Sequence, residues 1–158
     1  MSILVDRLLE KDESKKTWFI LCYPKPTESE VSSRIEELRT LGVEALNFRG
    51  KTNLFGIPIL GKGHVGVVVA ASHKGSEVAL KIRRVDADRE TMQREAELLK
   101  RANKVSVGPR FLGCTENFLL MELVEGKNIQ EWLREEKKAE KVRLVLRDLI
   151  EQCRRLDE

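Results

Sequence analysis

The chain has 158 residues, enough for one domain or a little more with a real core. Charged residues make up 35% of it and aromatics 5%, and 29 Lys and Arg against 26 acids leave a net charge of only +3. That interspersed near-balance argues against a nucleic-acid partner and suits the ion-pair-rich surface met in thermophilic proteins. No apolar run approaches the ~18 residues that span a bilayer, and no signal peptide is visible.

Residues 2 to 13 are expected to form a short amphipathic helix with Ile3, Leu4, Leu8 and Leu9 on one side. Thr17 to Tyr23 (TWFILCY) reads as a buried strand from its β-branched and aromatic content, stopped by Pro24 and Pro26. Thr27 then caps a helix, and Glu30 completes a capping box three residues on. Val31, Ile35, Leu38 and Leu41 form its apolar stripe, and Gly42 ends it. Val43 to Phe48 suits another strand. The first third is thus a β-α-β extension, residues 1–53, joined to the rest near Gly50 to Asn53.

Two stretches at that joint imitate a phosphate-binding Walker loop. Ala45 to Thr52 (ALNFRGKT) fits its loose form, and Gly56 to Gly63 (GIPILGKG) fails only where a Ser or Thr must hold magnesium. A Walker loop needs a helix after its lysine, because helix N-terminal N–H groups hold the phosphates. Gly56 and Pro58 follow Lys51 and forbid a regular helix, so both are rejected.

From Ile57 strands are expected. Leu60 to Lys81 (LGKGHVGVVVAASHKGSEVALK) places Gly61, Gly63 and Gly66 in the spacing G-x-G-x-x-G. Glycine backbone can lie flat over a polyphosphate and offer it N–H groups. The β-branched run after Gly66 predicts a strand rather than the helix of a dinucleotide fold. An ordinary tight hairpin with no ligand uses the same glycines, and the spacing alone does not separate the two. Period-two alternation puts Gly66, Val68 and Ala70 on one face, and Ala79 with Lys81 on one face of the next strand. Lys81 is either a paired, partly buried ammonium or an exposed lysine on a wet sheet face.

Asp86 or Asp88 is expected to cap the next helix, running to about Ala102. Its stripe of Met92, Ala96 and Leu99 includes Glu95, while Glu97 points away. Glu95 either meets Lys81 or reaches water from the stripe's edge. Gly108 and Pro109 break the chain, and Phe111 to Cys114 with Phe118 to Val124 make a hairpin across Thr115, Glu116 and Asn117. A short helix around Ile129 to Leu133 follows, then a longer one from about Glu140. Its Val142, Val145, Leu146, Leu149, Cys153 and Leu156 recur at helical spacing and are expected in the core. Cys22, Cys114 and Cys153 are odd in number and sit in apolar runs, so they read as reduced core thiols of a cytoplasmic protein.

Taken together, the motifs GKGHVGVV, VALK, QREAELLK and LLMELVEG, in this order, resemble the N-terminal lobe and hinge of the protein kinase superfamily. The match covers roughly Leu60 to Leu156 and is closest to small archaeal predicted Ser/Thr kinases related to the RIO group. The resemblance implies an α+β fold in three parts. Residues 1–53 are the extension, residues 54–126 a five-stranded antiparallel sheet with one helix and the hinge, and residues 127–158 the first helices of a second lobe.

The resemblance also implies a site for ATP. Gly61, Gly63 and Gly66 would cover its phosphates, Lys81 would hold the α- and β-phosphates, and Glu95 would orient Lys81. Leu60, Val68 and Ala79 would sandwich the adenine, with Met121 at the gatekeeper position. The Glu122 carbonyl and Val124 N–H would pair with the adenine edge, and Asn128 would contact the ribose.

One departure matters. The family's catalytic Asp, its Asn and its later metal-binding Asp have no counterpart here. Leu146 to Leu149 (LRDL) tempts as a catalytic loop around Asp148, but Cys153 stands where the Asn belongs and the stretch is helical in pattern. The chain is therefore expected to stop before the catalytic loop and to carry no metal site, with Mg2+ entering only in a complete enzyme. The competing expectation is a non-catalytic kinase-fold module that binds nucleotide or protein. An in-frame Asp-bearing loop beyond Glu158 favours the enzyme, and a stop codon there favours the module.

Overall fold

The computed structural model describes residues 1–10, 14–88 and 91–157. The first half of the chain runs β1 (Ser2–Leu4), α1 (Ser14–Leu21), α2 (Glu28–Thr40), β2 (Val43–Asn47), β3 (Thr52–Leu54), β4 (Ile57–Ile59) and β5 (Gly61–Lys62). The second half runs β6 (Gly66–His73), β7 (Ser76–Arg83), α3 (Gln93–Lys104), β8 (Phe111–Cys114), β9 (Phe118–Glu122), α4 (Ile129–Glu135) and α5 (Ala139–Asp157).

The fold is α+β, with an antiparallel sheet and, among the described residues, five α-helices. Among the described residues the sheet has seven strands instead of the expected five, in the order β1-β2-β6-β7-β9-β8 with β5 also on β6. It is larger because β2 pairs with the far half of β6, from Ala70 to His73, and β1 pairs with β2. Residues of the first third therefore extend the same sheet. β3 and β4 form a separate hairpin.

Alternation along β6 and β7 divides the molecule. Val67, Val69, Ala71, Val78, Leu80 and Ile82 face one way and are buried with Ile20, Leu21, Val31, Ile35 and Leu38 from α1 and α2. Each fully buried aliphatic side chain stabilises the fold by roughly 1.5–3 kcal/mol. The two N-terminal helices thus cover one face. On the opposite face α3 packs Met92 and Ala96 on Leu119, with Val65, Leu99 and Phe111 around them.

Several local expectations fail at the N-terminus. Residues 2–4 are a strand and Val5–Arg7 a single 3-10 turn, not a helix, and residues 11–13 of that expectation lie outside the described residues. Thr17 to Tyr23 is not a strand, because its first five residues complete α1. Thr17, Ile20 and Leu21, at helical spacing, are buried together, and the Trp18 indole N–H donates to the Leu8 carbonyl at 2.8 Å. A face on which to bury these residues outweighs their β propensity. α2 keeps its Thr27 cap, whose Oγ1 accepts from the Glu30 N–H at 3.3 Å. The Glu30 carboxylate, however, accepts from Arg34 at 2.8 Å.

At the other end, α5 is helical as expected but buries none of its residues. Leu146, Leu149, Ile150, Cys153 and Leu156 are exposed, so their periodicity marks an apolar face and not a core. Cys114 is half-buried and only Cys22 is a core thiol. Among the described residues no helix is long and apolar enough to cross a membrane.

Candidate functional site

β5 and β6 form the glycine-rich hairpin. Gly61 and Lys62 pair with Val68 and Val67, and the Gly63 N–H closes the loop on the Gly66 carbonyl at 2.8 Å. Gly66 has a second constraint. A Cβ there would lie 2.7 Å from the Ile82 carbonyl oxygen and 3.3 Å from Cγ and Cε of Lys81. Only a residue without a side chain lets the Lys81 stem run this close beneath the strand. Gly61 and Gly63 meet no such obstacle.

Lys81 stands opposite Val68 on one side and Leu119 on the other, so its stem lies between apolar neighbours. Its Nζ donates to Oε1 of Glu95, one turn into α3, and the two side chains are 22% and 25% exposed. The strand face and helix stripe read from the sequence do meet. Neither Asp86 nor Asp88 caps α3, which corrects that expectation. Its N-cap is Met92, whose N–H donates to the Glu116 carbonyl at 2.9 Å. The two aspartates are engaged elsewhere. Arg84 binds Asp86 and holds its carboxyl below the usual range, and Asp88 meets His64 Nε2 at 3.1 Å.

Between hairpin and helix lies a cavity of about 450 Å³ lined by Gly61, Lys62, Gly63, His64, Val65, Gly66, Val68, Lys81 and Glu95. Six of the twelve residues singled out from the sequence line it, the glycines, Val68 and the ion pair. Lys62, His64 and Val65 went unremarked, although as the x positions of G-x-G-x-x-G they ride on the same loop. Lys62 is held from the N-terminal segment, with Nζ 2.7 Å from the Tyr23 hydroxyl and 4.3 Å above its ring. Arg84 lies 4.9 Å from that ring.

The other six residues lie outside this cavity. Ala79 is buried opposite Ala70 and Met121, so Ala79 and Met121 continue the sheet face that carries Lys81. Leu60 donates its N–H to the Val68 carbonyl at 3.0 Å. Glu122 exchanges backbone and side-chain bonds with Arg110 at 2.8 and 3.0 Å. Val124 is 69% exposed beyond the end of β9. Asn128 is the N-cap of α4, its Oδ1 accepting from the Glu131 N–H at 2.9 Å, a local role that its side chain alone explains.

Both rejected Walker stretches continue into strands, since β3 follows Lys51 and β6 follows Gly63. Asp148 sits within α5 beside Val145, Leu149 and Gln152, and lines no part of the Lys81 cavity. Among the described residues no group of three or more His, Cys, Asp and Glu side chains is arranged to hold a metal ion.

No family model matches this chain, and no curated protein matches it. The class of protein is therefore defined by the fold and this site alone. It is an α+β protein in which a glycine hairpin covers a lysine–glutamate pair.

Proposed function

We propose that the chain is the ATP-gripping lobe of a serine/threonine protein kinase, of the kind its motifs resemble. The single observation that carries this reading is the Lys81–Glu95 pair beneath the Gly61–Gly66 loop. A polyphosphate needs a fixed cation and N–H donors, and a purine needs an apolar slot. Lys81 supplies the cation, and Glu95 keeps it pointed into the cavity. The loop supplies backbone N–H groups, and Gly66 permits the approach. Val68, Ala79 and Met121 extend an apolar floor away from the ammonium for the base, toward the hinge at Glu122 and Val124.

The residues fit the triphosphate. For Mg2+ they offer no matching set of carboxylates among those described, so the grip rests on Lys81 and backbone N–H groups. Phosphoryl transfer relies on positioned metal-binding carboxylates and a base, so the polypeptide should grip ATP weakly and transfer nothing.

Titration with a fluorescent ATP analogue tests this. Lys81→Ala should weaken binding about 10- to 100-fold, the worth of one charge-assisted hydrogen bond. Binding that ignores Lys81 overturns the assignment, and robust autophosphorylation with radiolabelled ATP overturns the inactive lobe. The second reading, a non-catalytic module, draws on the exposed leucines of α5. It predicts ATP binding in the full gene product without any phosphoryl transfer.

A further inference from the structure

We propose that helix α2 sets the Lys81–Glu95 pair by clamping the β8–β9 loop, which makes Arg34, Glu37 and Asn117 positioning residues for the triphosphate grip. The inference rests on the reading of that pair as the nucleotide-binding group.

Asn117, 5% exposed, is the centre of the clamp. Its backbone N–H and its side-chain amide donate to the two carboxylate oxygens of Glu37 at 2.9 and 2.6 Å. Its Oδ1 accepts from Arg34 Nη2 at 3.0 Å and from Arg83 Nε at 2.9 Å. Its own carbonyl accepts the Arg83 N–H at 2.8 Å. Arg34, fully buried, also donates from Nη1 to the carbonyls of Leu21 and Arg83, both at 2.6 Å. One planar guanidinium thereby ties α1, α2, β7 and the loop together.

Each half of the ion pair hangs from this node. Arg83 lies two residues beyond Lys81 on the same face of β7, so fixing Arg83 fixes the strand end that presents the ammonium. Glu116, the neighbour of Asn117, accepts the Met92 N–H and so anchors the start of α3, three residues before Glu95. A shift of the loop would move the start of α3 and, with it, Glu95. Backbone hydrogen bonds along β7 hold Lys81 in register in any case, whereas α3 starts from Met92, which gives no side-chain cap, on the Met92–Glu116 bond and a longer contact of 3.4 Å from the Gln93 N–H to Thr91 Oγ1. The clamp therefore governs chiefly where Glu95 sits.

The test is pulse acetylation of the folded chain with acetic anhydride, reading Lys81 against the exposed Lys16 by mass spectrometry. A lysine bonded to a carboxylate must leave it before its amine reacts. In Glu37→Ala the Lys81/Lys16 ratio should rise by about threefold to tenfold, the population change that one net hydrogen bond is worth. ATP affinity should fall in parallel. Glu37→Gln retains one acceptor and should fall between wild type and Glu37→Ala in both readouts. It also carries the test if the alanine variant does not fold. Circular dichroism and urea unfolding confirm that each variant read is folded.

A merely structural role lowers the urea midpoint and leaves the ratio of the folded state unchanged. An unchanged ratio in a folded variant overturns the clamp, whatever the ATP affinity. A raised ratio supports it even if the wild type shows no Lys81-dependent ATP binding, in which case the nucleotide reading fails separately.

Discussion

Gly66 and Cys22 show what single positions contribute. At Gly66 a methyl group would press on the Ile82 carbonyl and on the stem of Lys81. Gly66→Ala should therefore displace the ammonium and lower ATP-analogue affinity about tenfold, while Gly61→Ala, with open space around it, should change it little. Equal losses for the two variants would show that the loop acts through flexibility and not through this contact. Cys22 is a different case. Burial pushes its thiol up from the ordinary 9.0 to about 11, against the opposing pull of Arg34. The unfolded chain then loses that proton first, so this residue stabilises the fold fully below pH 9 and its contribution is lost as pH rises toward about 11. At pH 8, iodoacetamide should modify the exposed Cys153 and spare Cys22 until urea unfolds the chain. Native-state labelling of Cys22 would contradict its burial.

Among the elements, the link between β2 and β3 is the least forgiving. Gly50 adopts φ +131°, and a Cβ on it would fall 2.0 Å from the Ile59 carbonyl oxygen at the end of β4. Gly50→Ala should cost roughly 3 kcal/mol or more, visible as a lowered urea midpoint, because both the dihedral and the contact oppose it. A midpoint equal to wild type would mean that the β3–β4 hairpin moves freely off the sheet. The turn between β6 and β7 is a local device by contrast. Lys74 and Gly75 take φ values of +51° and +72°, the two-residue geometry whose twist matches the strands it joins. The Thr27 cap, the Gly42 stop at φ +68° and the β8–β9 hairpin were equally local, since each depends on residues within a few positions of one another. α1 was not local. TWFILCY has strand composition, and only the groove offered by α2 and the back of the sheet makes a helix the better way to bury it.

At the scale of the molecule, one sheet carries two covered faces, and α1 and α2 are one of the covers. Deleting residues 1–53 would expose Val67, Val69, Val78, Leu80 and Ile82 at once and remove β2, one of the strands paired with β6. The remaining chain should fail to fold, read as loss of cooperative urea unfolding, and a cooperative transition would show that the sheet sustains itself without its back layer. The candidate site divides along the same line. Alternation along β7 and the stripe of α3 assigned Lys81 and Glu95 each to a face, because a period of two or of 3.6 is written in adjacent residues, but left open whether those faces meet, which the fold decides. The same reasoning misread α5, since periodicity shows which face is apolar and says nothing of what covers it. It also missed Arg34, Glu37 and Asn117, which are up to 83 positions apart and meet only when α2 is laid against the sheet. The sequence by itself determined the strands β6 to β9, the local caps and turns, and the faces that carry Lys81 and Glu95, all consequences of short-range stereochemistry. Only the tertiary structure decided that the first third joins the same sheet and that a buried guanidinium ties it to the candidate site, because burial and long-range hydrogen bonds exist only once distant segments have packed.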